Sequence, residues 1–182
     1  YLNQQISQNH PDAGVEIFYE IGTIEQLIGT GISYKYEIAF KVYNKEAAGE
    51  LLDIVIPKAK KGIVKRINAV TYNLENGNIQ ETKLDKNDIL LDDYSDNLEL
   101  MKFSIPAVKN GSIVRYQYTC LNGHLTTRWN FQREGIPVVY SQYTFNLSKN
   151  AIVTAQVSTT IPFKPYDSQK KFEKSKDKAA SL

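Results

Sequence analysis

Few side chains in this chain could carry a reaction, and the first pair to weigh is Cys120 with His124. A thiolate nucleophile needs a base within hydrogen-bond reach and a third group to orient it. The two residues are four apart, with Leu-Asn-Gly between them, so a turn could bring them together. Yet Cys120 shares the parity of Val114, Tyr116 and Tyr118. A small buried hydrophobe is the simpler role for it, and no catalytic residue is assigned. His10 lies in a polar lead-in and is expected to face solvent. Asp85, Asp88, Asp92, Asp93 and Asp96 suggest a calcium loop, but Ile89 occupies a ligand position and Leu90 stands where the turn glycine belongs. A solvated loop is the expectation, with no metal and no cofactor. Phosphate-binding glycine loops are absent. Asn110-Gly-Ser and Asn146-Leu-Ser match the glycosylation triplet, which matters only in a suitable secretory pathway.

The aromatic residues offer binding chemistry. In Arg128-Trp-Asn-Phe-Gln, alternation puts Trp129 and Phe131 on one face and Gln132 on the other. With Tyr116 and Tyr118 they read as core anchors or, alternatively, as a platform for sugar or peptide.

Such side chains need strands to hold them. Met101, Phe103 and Ile105 form one row, closed by Pro106, and Asn110-Gly111 predicts a tight reversal into the row from Val114 to Cys120. Val15–Glu20 is a first strand and Thr23–Ile28 a second, short one. From Ile32 to Tyr43, Ile32, Tyr34, Tyr36, Ile38, Phe40 and Val42 face one way, while Ser33, Lys35, Glu37 and Lys41 face the other. Asn44–Glu50 suggests a helical turn, and Leu51–Ile56 a strand ended by Pro57. Asn76-Gly77 predicts a hairpin between Ile63–Leu74 and Asn78–Leu84. Asp85 caps a further turn, and Val138–Leu147 and Ile152–Thr160 are later strands. The sum is an all-β fold, an antiparallel β-sandwich of roughly ten strands with few short helical turns. It is expected to span residues 1–162, followed by a lysine-rich tail or linker over 163–182.

Composition fits this outline. A chain of 182 residues, 42% hydrophobic and 23% charged, suits one globular domain. A net charge of +2 supplies no basic stripe for nucleic acid. One cysteine excludes an internal disulfide, and no apolar run reaches the roughly 18 residues of a membrane span. The start at Tyr1, without Met, reads as a processed product or an excised piece.

Six segments in order resemble a known family. They are His10–Val15 through Tyr19-Glu20; Tyr34–Val42 with Asn44–Ala48; Ile67–Asn73 with Glu75-Asn-Gly77; Lys102–Ser112 with Tyr116–Thr119; Trp129–Gln132; and Ile136–Val138 with Ser141 and Tyr143. Over about residues 10–150 the chain resembles the bacterial domain of unknown function that precedes transglutaminase-like domains in exported proteins. It departs where the family often has a basic residue near Tyr36 or Glu37 and an acidic one at Arg115. The resemblance implies a non-catalytic accessory module, periplasmic or extracellular, that positions or presents substrate to a downstream Cys-His-Asp domain of the same polypeptide. The alternative is a stand-alone carbohydrate- or peptide-binding module of the cell envelope.

Overall fold

A computed structural model describes residues 1–27, 31–122 and 129–147. The chain divides into a compact unit, Tyr1–Phe145, and a second unit, Asn146–Leu182; the first is the subject here. The expected strand at 152–160 and the lysine-rich segment 163–182 lie outside the described residues.

Nine strands are found among the described residues: β1 (Val15–Gln26), β2 (Ile32–Val42), β3 (Asp53–Ala59), β4 (Ile63–Glu75), β5 (Asn78–Lys83), β6 (Leu90–Ser95), β7 (Leu98–Ser104), β8 (Ile113–Leu121) and β9 (Ser141–Asn146). They make a six-stranded sheet, ordered β5-β4-β8-β2-β1-β9, and a three-stranded sheet, ordered β3-β7-β6. The pairs β1–β2, β2–β8, β8–β4, β4–β5, β3–β7 and β7–β6 are antiparallel. The all-β sandwich read from the sequence is therefore the fold. Alternation explains it: each sheet carries an apolar face, and the two faces cover one another. Ile17, Ile38, Phe40 and Val114 from the larger sheet are buried, as are Ile54, Ile56 and Phe103 from the smaller. The Phe103 and Tyr116 rings meet edge to face across the layers, 6.4 Å apart.

Local chemistry sets the connections. Asn76 and Gly77 both take positive φ, 50° and 79°, which closes the β4–β5 hairpin with the two-residue turn its twist prefers. Asn44 caps a 3-10 turn over Lys45–Leu51 by accepting from the Glu46 amide. Asp85 likewise caps the short 3-10 turn Lys86–Asp88 through the Asn87 amide.

Several expectations are corrected. The two strands predicted from Val15 onward are one: beyond a bulge between Ile17 and Tyr19, Ile21 and Gly22, at the predicted break, pair with Glu37 and Tyr36 and keep the β1–β2 ladder unbroken through Gln26. Pro57 does not end β3; it sits inside it, paired with Leu100. It is tolerated there because β3 is an edge strand, where a missing N–H breaks no ladder. The Asn110-Gly111 turn joins no hairpin, since β7 and β8 belong to different sheets. The acidic stretch is not a loop throughout: Asp92 and Asp93 lie on β6, ion-paired to Lys102 and Lys60. Finally, the predicted wet face of β2 is partly covered. Lys41 is fully buried, and its Nζ donates to the backbone carbonyls of Leu2 and Gly111. The first residues of the chain lie across that face and are neither helix nor strand; Ser7 is buried there and donates to Glu16.

Candidate functional site

The inner face of the larger sheet ends in a cluster of rings. The register places Tyr36 opposite Tyr118 on β8 and opposite Gly22 on β1. One step along the strands, Ile38 lies between Tyr116 and Glu20. The bulge in β1 causes this placement. Before it Val15 and Ile17 point inward; beyond it the parity flips, and Glu20, Gly22 and Ile24 do. A charged residue is thereby driven into the sandwich, with only 3% of its surface exposed.

Two groups hold the Glu20 carboxylate. Tyr36 donates its hydroxyl to Oε1 at 2.7 Å, and Arg133 donates from Nη2 to the same oxygen at 2.6 Å. Arg133 arrives from the segment after Trp129, whose Arg133–Ile136 bridge holds a tight turn. Glu20 Oε2 and Arg133 Nε are buried and have no hydrogen-bond partner among the described residues. An orphaned buried polar atom costs roughly 1–3 kcal/mol, so this pair is unusual in a packed core.

Beside the pair lies a hollow of about 260 Å³ between the sheets. Tyr34, Tyr36, Tyr116, Tyr118 and Trp129 give it aromatic walls. Glu50, Asp53 and Asn130 add polar groups. Burial raises the hydroxyls of Tyr36 and Tyr118 well above the ordinary tyrosine value, and that of Tyr116 to about 12; the Glu20 charge adds to each. The tyrosines therefore stay neutral donors at physiological pH. Burial works against the Arg133 charge, but its hydrogen bond and attraction to Glu20 prevail and hold its pKa up. A larger hollow of about 800 Å³, between residues 9–13 and 132–138, is lined mostly by exposed loop side chains and gathers no comparable cluster.

Trp129 is half-buried. Its ring stacks on Tyr143 at 4.8 Å and 12°, meets Tyr36 edge to face at 6.0 Å, and its Nε1 donates to Ser141 at 2.9 Å. Gly22 makes room for this stack: a Cβ there would fall 2.6 Å from Trp129 Cζ3 and 2.7 Å from Tyr143 Cδ2. Of the four aromatic residues singled out from sequence, Trp129, Tyr116 and Tyr118 line the hollow, and Phe131 does not. Phe131 is 47% exposed and touches Trp129 edge to face. Its expected alternation fails because residues 129–132 form no strand. Cys120 is buried on β8, in the row with Val114 and Tyr116; His124 lies outside the described residues. Among the described residues no group of three acidic, His or Cys side chains converges as a metal site. Glu20 and Arg133 escaped sequence reasoning. The one available signal was Glu20 sharing parity with Gly22 and Ile24.

The arrangement is an aromatic-walled hollow in an all-β sandwich. The family match makes the class specific. DUF3857, a domain of unknown function, matches residues 31–179, and the chain belongs to that family. The match begins later than the resemblance drawn from sequence and extends further. No curated protein matches the chain. Among solved structures, a "putative protease" from Parabacteroides distasonis is similar, with TM-score 0.60 and 12% identity. The similarity covers 75% of this chain and 29% of that one, so the chain spans under a third of that neighbour's length.

Proposed function

We propose that this domain is a non-catalytic accessory module, which positions or presents substrate to a transglutaminase-like Cys-His-Asp domain in the same polypeptide of the cell envelope. The observation that carries the reading is modularity. The shared fold takes up most of this chain but 29% of a longer protein, itself described as a putative protease. A domain so embedded contributes through what it holds. The resemblance of its six ordered segments to domains that precede transglutaminase-like regions supports the same assignment.

The test is the natural polypeptide beyond Leu182. The expected result is a Cys-His-Asp domain whose kcat/KM on a protein substrate falls when residues 1–147 are deleted, with little change on a small amide. A downstream region lacking such residues, or activity indifferent to the deletion, overturns the reading. The second reading, a stand-alone carbohydrate- or peptide-binding module, is favoured by the aromatic hollow beside Glu20 and Arg133.

A further inference from the structure

We infer that the hollow at Glu20 and Arg133 is a binding subsite for one neutral pyranose unit of a glycan. This holds whether or not a catalytic domain follows. The argument begins with the two orphaned atoms. Glu20 Oε2 is an acceptor and Arg133 Nε a donor, both buried and both belonging to one ion pair. Within the pair the two charges cancel, and Glu50 and Asp53 leave the lining as a whole acidic, which disfavours an anion. The complementary group is neutral and both donates and accepts. A sugar hydroxyl is such a group: with a small rotation of the two side chains, both of which line the hollow, it would donate to Oε2 and accept from Nε.

The walls favour the same ligand. Rings of Tyr34, Tyr36, Tyr118 and Trp129 line the hollow. Aromatic rings present apolar faces with a polar tip, suited to the C–H faces and hydroxyls of a sugar ring. The volume of about 260 Å³ lies below that of sites for drug-sized ligands and suits a single six-membered ring. Glu50, Asp53 and Asn130 offer partners for further hydroxyls. A peptide amide also donates and accepts. The usual route for a peptide is strand addition, however, and the open edge beside the hollow, β3, lacks a donor at Pro57.

Trp129 is the chain's only tryptophan and lines the hollow, so its fluorescence reports occupancy. The probes are methyl β-glucopyranoside, N-acetylglucosamine and, as the amide comparator, N-acetylglycine N-methylamide. The expected result is a saturable change in emission with a sugar, in the millimolar range of single-unit ligands. It weakens by about tenfold or more in Glu20→Gln and in Arg133→Lys. Arg133→Lys keeps the charge beside Glu20 and removes Nε, so it carries the test if Glu20→Gln does not fold. Three results overturn the inference: no saturable response of the folded protein to either sugar, a response to the amide comparator as strong as to the sugars, or sugar binding that survives both substitutions. The first would mean that the orphaned atoms are served by water alone.

Discussion

Gly22→Ala adds one methyl group at the point where two rings leave no space for it. The new Cβ would lie 2.6 Å from Trp129 and 2.7 and 2.9 Å from two atoms of Tyr143. Those rings are stacked on each other, and Trp129 is tied to Ser141, so neither moves without breaking the stack or the hydrogen bond. Overpacking of this kind costs about 1–3 kcal/mol. Replacing a strand glycine by alanine returns roughly 0.5–1 kcal/mol of backbone entropy. The net expectation is a loss of about 1–2 kcal/mol, which lowers the Tm of a domain this size by about 2–8 °C. Urea unfolding followed through Trp129 emission measures both consequences, because the same displacement that destabilises the fold exposes the indole and shifts its emission to the red. A Gly22→Ala protein as stable as the parent, with unchanged emission, would show that the Trp129–Tyr143 stack does not rest on Gly22.

Trp129→Ala is expected to cost about 2 kcal/mol, less than the roughly 3–5 kcal/mol of a fully buried ring, since the indole is only half-buried; chemical denaturation measures it. Tyr36→Phe removes a charge-assisted bond to Glu20 and is expected to cost about 1.5–3 kcal/mol, read in the same experiment. Alkaline titration should destabilise the domain from about pH 10 upward. Tyr19, Tyr43 and Tyr116 ionise in the folded state only at about 12, and Tyr36 and Tyr118 are also raised, so the unfolded chain loses these protons first and stability falls as pH rises across that window. Lys41, lowered by burial, acts in the opposite sense but is a single group. Tyrosinate absorbance that reaches the full amplitude of all twelve tyrosines before unfolding would contradict this order.

The regular parts of the sandwich were legible because one rule, alternation, governs them. Ile32–Val42 and Ile113–Leu121 could be drawn almost to the residue, and Asn76-Gly77 named its hairpin. What failed involved departures from that rule or contacts between distant segments. An inserted residue at the β1 bulge reversed the inward parity and hid Glu20 from any count of odd and even positions. Lys41 looked wet because the N-terminal segment that covers it carries no periodic signal. Arg133 meets Glu20 only in three dimensions, and nothing in the local sequence links them. Glu37 and Arg115, far apart in sequence, pair with each other across β2 and β8 at 2.8 Å, which no local pattern reveals.

The Glu20–Arg133 link joins residues 113 positions apart. Contacts of such long range close late, because the intervening chain must first be ordered. During synthesis the strands through β8 can therefore assemble while Glu20 still waits for its guanidinium. The hollow becomes complete only when the segment beyond Trp129 docks, so a truncated or stalled chain would fold much of its sandwich and still lack a finished pocket.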